Sequence, residues 1–355
     1  MLKLSNIRIP VRIAVACLLP LLAFTFIAGK ELLDRRAVFV DMNAIGVVAE
    51  AAPMIAGLVH ELQRERGFSV GYIDSREPSL QNQMLKQRPV SDKALEGWNQ
   101  RVVEYAKSYP GTKFAKNLDT AKSRLAGLTK MRADIDASTI DSQKIMQDMV
   151  SAVAGLLNVV DAIDEMTENG QIIHQAKAMV ALMRRKEYTA QGRGWGVIGF
   201  GAGQFVPQMY QAFMRSMNLG DAFTTIFTRS ATPAQIEFVN KTIDNAARNS
   251  MNQMRQAAAL SPYKGNAGNV TVAQWLDATS KYIDSLKRVE DRLLSDFAAT
   301  VQSVASDARW GFWNLLALVV GLLVVTGAIV WFVVLSITRP VGQLVDTMAA
   351  LAKGQ

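Results

Sequence analysis

Two stretches of the chain carry no charged residue and are almost wholly apolar. The first covers residues 13–29 and the second covers residues 312–337. A helix needs about 20 apolar residues to cross a hydrocarbon core of about 30 Å, and the second stretch exceeds that length. The first stretch is shorter and contains Pro20. We predict transmembrane helices over residues 13–30 and 310–337.

A cleaved signal peptide is the alternative interpretation of the first stretch. Lys3, Arg8 and Arg12 would then form its positively charged n-region. Apart from Ala28-Gly29, the residues around the end of this stretch offer no good small-x-small cleavage site. We therefore favour an uncleaved membrane anchor.

Positive charges lie outside both apolar stretches. Arg339 and Lys353 follow the second stretch, as the n-region charges precede the first. The positive-inside rule then places residues 1–12 and 338–355 in the cytoplasm and residues 31–308 in the periplasm of a bacterial inner-membrane protein. Three tryptophans also lie near the ends of the second stretch, as interface anchors do: Trp310, Trp313 and Trp331.

The region between the two stretches shows helical periodicity almost throughout. It has no sustained period-two alternation and no Asn-Gly or Asp-Gly hairpin turn between apolar runs, so we expect an all-α fold. The last predicted helix has no Pro or Gly from Val272 until Gly311, and can run unbroken into the second apolar stretch as a signalling rod or as a stalk. Helices are predicted over residues 31–75, 81–108, 113–133, 139–169, 171–201 and 205–219, from 233 to 260, and from 270 onward.

Composition limits the chemistry of this region. The formal net charge is +8, but no basic-aromatic module appears and an exported domain has no access to nucleic acid, so we expect no nucleic-acid partner. The only cysteine, Cys17, lies in the first apolar stretch, so the exported domain has no disulfide. Two histidines and one cysteine also argue against a transition-metal site. Without a catalytic motif or a cofactor fingerprint, we expect neither an enzyme nor a bound cofactor.

Two arginines occupy positions on apolar helical stripes. In LVHELQRERGFSVGYI, Arg66 continues a stripe of apolar residues, and Arg193 does the same in a later helix. Each is followed by a glycine and an aromatic residue, which suggests a degenerate internal repeat. A buried salt bridge to Glu61, Glu65 or Glu187 is one explanation. The other is a small planar anion held by two guanidinium groups, whose flat fork suits an oxyanion.

The glycines that follow the second arginine match a GxGxxG pattern over residues 194–199. A dinucleotide-binding fingerprint needs a strand before the glycines, and no strand pattern precedes these. We interpret them as positions of close helix packing.

The first arginine segment resembles the signature of the NIT domain, a nitrate- and nitrite-sensing family. AKAMVALMRRKEYTAQGRGWG resembles the second NIT motif, although Gly192 stands where that motif carries an acid before its arginine. QWLDATSKYIDSLKRVEDRLL extends the likeness, which covers most of residues 31–308. The resemblance implies two four-helix bundles with nitrate or nitrite held between arginines.

Four arginines are the candidate ligands of that anion. Arg66 and Arg193 carry over on the motif match. Arg64 is a further candidate, although it is turned by about 200° around the helix from Arg66 and is expected at the bundle edge. Arg255 is a third possible donor from the second half of the domain. We interpret His60 as an ordinary helix-face histidine.

The segment SITRPVGQLVDTMAALAKGQ resembles the first helix of a HAMP domain. Its apolar residues recur with a period suited to a helical bundle, and Arg339-Pro340 matches the family's start. The resemblance implies a homodimer with cytoplasmic signalling partners reached through an output domain outside this sequence. The expected function is a transmembrane nitrate or nitrite receptor, in first place a methyl-accepting chemotaxis receptor. The alternatives are a sensor histidine kinase, a cyclic-dinucleotide receptor or a helical periplasmic protein-interaction module.

Overall fold

The computed structural model describes residues 9–108 and 110–352. Contacts between residues divide the chain into two compact units. One unit is Asn43–Gln302, and the other combines the residues up to Met42 with those from Ser303. Every regular element in the described ranges is helical, which confirms the predicted all-α class.

Ten α-helices make up the described chain, together with one 3-10 turn at Ala162–Glu165. The helices are α1 (Ile9–Ser75), α2 (Pro78–Ser108), α3 (Lys113–Leu125), α4 (Leu128–Asp136), α5 (Ser142–Asp161), α6 (Gly170–Gly201), α7 (Pro207–Ser230), α8 (Pro233–Thr242), α9 (Asn245–Lys264) and α10 (Val272–Ala352). The unbroken course of α10 agrees with the absence of Pro and Gly from its first part.

The break between α1 and α2 is shorter than the sequence suggested. Only Arg76 and Glu77 are outside helices, and Arg76 adopts a positive φ of 58°. Pro78 begins α2 because the first helical position needs no backbone N–H and suits the fixed φ of proline.

Other helix boundaries also differ from the prediction, and the helix predicted over residues 139–169 already ends at Asp161. The predicted helix over residues 113–133 is interrupted at Ala126 and Gly127. The predicted helix from 233 to 260 is two helices, since Asp244 caps α9 by accepting a hydrogen bond from the backbone N–H of Ala247 at 2.9 Å. Helix α7 continues past Leu219, and Gly220 lies inside it, where a Cβ atom would lie 3.9 Å from the backbone oxygen of Arg185 on α6.

Helix α6 is the centre of the unit Asn43–Gln302. It packs along α7 and also contacts α5 and α9. Most of its residues are buried, including charged ones at Lys186, Glu187 and Arg193. A helix that is buried on nearly all sides must satisfy its polar groups inside the protein. The interior of this unit is therefore where the candidate site has to be built.

The other unit exposes a large apolar surface. Large apolar side chains are exposed on α1 at Leu19 and Phe26 and on α10 at Val324 and Phe332. Helices α1 and α10 are long and apolar enough to cross a membrane, by length and composition alone. In the most apolar window of α10 almost no residue is buried, whereas in that of α1 more than half are, as in the core helix of a soluble protein. The N-terminal charges Lys3 and Arg8, and Lys353, lie outside the described residues.

Candidate anion-binding site

Arg66 lies in a buried ion pair that joins α1 to α6. Its side chain is fully buried, and its Nη1 and Nη2 donate to Oε1 and Oε2 of Glu187 at 2.9 and 3.1 Å. Glu187 also accepts hydrogen bonds from the side-chain amides of Gln63 and Gln191, both at 2.8 Å. Of the three acids that the sequence offered as partners, Glu187 is therefore the one that pairs with Arg66. Among the three guanidinium nitrogens of Arg66, Nε alone is buried without a partner.

The other two acids bind different groups. Both carboxylate oxygens of Glu65 accept from Arg132, at 2.7 and 2.8 Å. Glu61 accepts from the side-chain amide of Gln87 at 2.7 Å. Neither acid is left to compete with Glu187 for Arg66.

Arg193 is buried without a carboxylate partner. The residue is only 4% exposed to solvent. Nη2 donates to the backbone oxygen of Gln63 at 2.5 Å and Nη1 donates to Oγ of Ser280 at 3.2 Å, and both acceptors are neutral. In the described part of the chain, no carboxylate oxygen lies within 4.0 Å of this guanidinium. Its Nε has no hydrogen-bond partner either.

The charge of Arg193 persists in this environment. Burial lowers the pKa of Arg193 to about 10, and the neighbouring charge of Arg66 acts in the same direction. The guanidinium is still protonated at neutral pH. Among the described residues of the domain, Arg193 is thus the buried cation whose charge no directly bonded acid cancels, which is costly unless an anion supplies the compensation.

Gly67 makes room for the Arg193 side chain. A Cβ atom at position 67 would lie 3.1 Å from both Nε and Nη2 of Arg193. Gln63 precedes Gly67 by one helical turn, so the carbonyl that binds Arg193 and the glycine that admits it lie on one face of α1. The first motif therefore contributes an arginine of its own, Arg66, and a glycine, Gly67, that makes room for the arginine of the second motif.

The glycines of the second motif are packing positions, as the sequence suggested. A Cβ at Gly196 would lie 2.2 Å from Nε1 of Trp275, and this indole nitrogen donates to the backbone oxygen of Arg193 at 2.9 Å. A Cβ at Gly199 would collide with Phe205 at 2.2 Å. These contacts fix α6 against α10 directly beside Arg193.

A cavity of about 360 Å³ reaches the Arg193 side chain. Arg64 also lines this cavity, so the structure places it beside Arg193. Three carboxylates lie in the same wall, from Glu77, Asp277 and Asp284. The remaining lining residues are Phe68, Ser79, Leu80, Gln83, Val272, Ala273, Leu276 and Ser280. The cavity therefore combines two cations with an acidic rim.

Two further buried groups lie close to this cluster. Burial, followed by the charges of Lys186 and Lys287, lowers the pKa of His60 to about 2, so this histidine is neutral. Its Nε2 lies 4.0 Å from Oδ1 of Asp284, and its Nδ1 has no partner. Lys186 donates from Nζ to Oε1 of Glu290 at 2.7 Å, in a second fully buried ion pair between α6 and α10.

Comparison with known proteins decides the family. The profile of the NIT family, described as nitrate and nitrite sensing, matches residues 57–298 of this chain. The chain belongs to the NIT family. The expected resemblance is thereby confirmed for the sensing domain, and an anion site is what a domain of this family requires.

Two individual proteins are also similar to this chain, one in sequence and one in fold. A "nitrate regulatory protein" of Klebsiella oxytoca is 23% identical over 262 residues, which is 74% of this chain and 65% of the relative. The chain thus spans about two thirds of the length of the curated relative that it matches. The structure of the NasR transcription antiterminator superposes with a TM-score of 0.69 at 20% identity, covering 94% of this chain and 90% of the other. The two share a fold.

The NIT motif of this chain departs from the family pattern at Gly192, and the structure supplies a reason. A Cβ at this position would lie 1.8 Å from Cε of Met217 on α7. The space that an acidic side chain would need is filled by that methionine. The missing acid leaves Glu187 as the carboxylate that the second motif contributes near the arginines.

The structure does not bring all four candidate arginines together. Arg255 donates from Nη1 to Oδ2 of Asp221 at 2.6 Å and from Nη2 to Oδ1 of Asn218 at 2.8 Å. These bonds tie α9 to α7, and Arg255 does not line the cavity beside Arg193. The grouped candidates of the NIT domain are Arg64, Arg66 and Arg193.

Several residues of the cluster were not found from the sequence. Gln63, Gln191 and Ser280 lie inside the quoted NIT-like segments, but they were not singled out because polar residues of their kind are common on exposed helix faces. The available signal was spacing, since Gln191 follows Glu187 by four residues, as hydrogen-bonding pairs on a helix do. Ser280 could be found only from the packing of α10 on α6.

Proposed function

We propose that this chain is a membrane receptor that senses nitrate or nitrite by binding the anion beside Arg193. One observation carries the proposal: a buried guanidinium without a carboxylate partner lies against a cavity of about 360 Å³. An unpaired buried cation is unfavourable, and a monovalent anion would remove that penalty. Membership of the NIT family supports nitrate and nitrite as the anions.

A free donor of the site suits a planar oxyanion. Nε of Arg193 is buried without a partner beside the cavity, and its N–H lies in the plane of the guanidinium. Nitrate and nitrite offer acceptor oxygens in one plane, which such a donor can address. We assign Arg193 as the primary ligand and Arg64 as the second cation of the cavity, whereas Arg66 does not line the cavity and acts on the site through its charge. Arg255 is left out because its donors bind Asp221 and Asn218.

A signal from this site would travel through α10. Trp275 bonds the backbone of Arg193, and Glu290 bonds Lys186, so α10 is attached to α6 on both sides of the anion site. A ligand that binds more tightly to one packing of α6 and α10 shifts the population towards it. We propose that the helices form two four-helix bundles and that α10 passes such a shift towards a dimeric HAMP helix.

Two signalling responses are compatible with a domain that binds nitrate or nitrite. The two-span layout, with residues 13–30 and 310–337 in the membrane and residues 31–308 in the periplasm, favours a chemotaxis receptor. The descriptions of the relatives, a nitrate regulatory protein and a transcription antiterminator, favour control of gene expression as the second candidate. Binding of nitrate is common to both.

The anion site is tested by calorimetric titration of the detergent-purified full chain with nitrate and nitrite. We expect saturable binding that Gly67→Ala weakens several-fold, because the new methyl group would lie 3.1 Å from the Arg193 guanidinium and would force it to shift. The matched control is Gly57→Ala on the same helix, where a Cβ meets nothing within 4 Å.

Gly57→Ala is expected to leave binding unchanged and to stabilise the helix slightly, since alanine is the better helix former. Absence of binding in the unmodified chain would refute the proposed function. Equal affinities of the two alanine variants would refute the placement of the anion at Arg193.

The membrane assignment is tested by fractionation of cells that express the full chain. We expect the chain in the membrane fraction after alkaline carbonate extraction, because α10 exposes an apolar surface that water would not tolerate. Val324→Arg with Val325→Arg should release it or prevent its accumulation, since an arginine at the centre of a span costs about 3 kcal/mol. Leucine at the same two positions is the control, and unmodified chain in the soluble fraction would refute the assignment.

A further inference from the structure

Among the described residues, the buried charged side chains around the anion site cancel each other in pairs, with one exception. Arg66 is paired with Glu187 through two hydrogen bonds, and Lys186 is paired with Glu290 at 2.7 Å. All four side chains are at most 3% exposed. Arg193 is the buried cation that remains. The interior therefore has one positive charge to offer to a ligand.

Glu187 is held firmly in its neutralising position. It accepts four hydrogen bonds, two from Arg66, one from Gln63 and one from Gln191. A carboxylate that accepts four hydrogen bonds is held in place when a ligand enters. Its negative charge is thus a permanent part of the field at the anion site.

The entrance adds negative charge. Glu77, Asp277 and Asp284 line the cavity, against Arg64 and Arg193 as its cations. The side chain of Asp284 is 49% exposed and lies 4.0 Å from His60, which is neutral. Asp277 is paired with Lys281 at 2.7 Å, whereas Glu77 and Asp284 repel an anion in proportion to its charge, so a second negative charge on the ligand is penalised more than the first.

We propose that Glu187, assisted by Asp284 at the entrance, sets the charge class of the ligand and makes the site select monoanions against dianions such as sulfate. The inference rests on the proposed anion site. Without Glu187, Arg66 and Arg193 would together present two positive charges, which is the complement of a dianion. With Glu187 in place, the two arginines and this carboxylate together present one net positive charge. Glu187 acts through Arg66 and is a specificity-determining residue without touching the ligand.

The test compares nitrate and sulfate on the detergent-purified full chain at constant ionic strength. The measured quantity is the ratio of the sulfate Kd to the nitrate Kd, in the unmodified chain and in Glu187→Gln. The different hydration of the two anions cancels when these ratios are compared. We expect the ratio to fall at least about tenfold in Glu187→Gln, because the dianion feels the removed charge twice and nitrate feels it once.

Two further variants complete the experiment. Asp284→Asn is expected to lower the ratio by about threefold, since this carboxylate is half-exposed and partly screened by water. Asp221→Asn is the matched control, because it also removes a carboxylate from an arginine, Arg255, away from the cavity. Its ratio should equal that of the unmodified chain.

Instability of Glu187→Gln is covered by a second readout. An anion that binds the folded state raises its thermal midpoint, and we expect sulfate to rescue this variant more than nitrate does. Equal rescue by the two anions would overturn the inference. Should the variant fail to fold with either anion, the Asp284→Asn ratio decides, and an unchanged ratio there overturns the inference.

The outcome also separates this inference from the function on which it rests. No binding of nitrate by the unmodified chain would remove the anion site itself. Normal nitrate binding with an unchanged ratio in the variants would keep the anion site and remove only the role of Glu187 and Asp284 in selecting charge.

Discussion

Arg193→Met is expected to abolish nitrate binding and to leave the fold at least as stable as before. The substitution removes the buried cation that meets only the neutral acceptors Gln63 and Ser280. Truncating a buried, hydrogen-bonded charge at a binding site typically costs about 2–5 kcal/mol, which corresponds to a loss of affinity of more than about 30-fold. Methionine retains most of the volume of the side chain and adapts to an irregular space.

Stability should respond in the opposite direction to affinity. In the absence of nitrate, the unmodified domain carries the desolvation penalty of an uncompensated guanidinium, and the variant does not. We therefore expect an unchanged or raised thermal midpoint without ligand. Nitrate should raise the midpoint of the unmodified chain and have no effect on the variant, because stabilisation by a ligand requires binding to the folded state.

The measurements are a nitrate titration and a thermal unfolding curve of the full chain with and without nitrate. Arg255→Met is the matched control, since this arginine binds Asp221 and Asn218 away from the cavity. It should bind nitrate with normal affinity. Normal binding by Arg193→Met would contradict the assignment of the ligand, and a strongly destabilised Arg193→Met would show that the arginine serves the fold.

The two arginines looked alike in the sequence and are different in the structure. Each lies on an apolar stripe before a glycine and an aromatic residue, so periodicity alone placed both of them inside the helical domain. Periodicity could not tell which one has a counter-ion. The partner of Arg66 is 121 residues away on another helix, and only the packing of α1 against α6 selects Glu187 over the nearer acids Glu61 and Glu65.

Local signals were sufficient for two features of the fold. The helical class and the continuity of α10 follow from periodicity and from the absence of Pro and Gly. The sequence prediction failed at Gly220, which faces another helix, and it also missed the local helix cap at Asp244. Gly220 indicates a helix end in the sequence, but it lies inside α7 against α6. Asp244 is an ordinary surface residue in the sequence, and it caps a new helix.

Arg66→Met is expected to have the opposite effect on stability to Arg193→Met, with a loss of about 3–5 kcal/mol in the free energy of unfolding. The substitution leaves the carboxylate of Glu187, on a side chain that is 3% exposed, with only the amides of Gln63 and Gln191 as donors. A buried charge that loses its partner costs more than the pair had contributed. Chemical denaturation of the full chain without nitrate measures the loss.

A double variant shows whether the loss comes from the stranded charge. Arg66→Met with Glu187→Gln removes both charges, so it should recover most of the stability lost in Arg66→Met alone, and the sum of the two single losses should exceed the loss in the double variant by about 2 kcal/mol or more. Arg193→Met combined with Glu187→Gln should show a smaller coupling in stability, because no hydrogen bond joins the two side chains and only the charge of Glu187 acts on Arg193. Additive losses at Arg66 and Glu187 would mean that their pairing does not stabilise the junction of α1 and α6. Strong coupling at Arg66 and weaker coupling at Arg193 would establish that the first arginine positions the helices and neutralises Glu187, while the second leaves its charge for the anion.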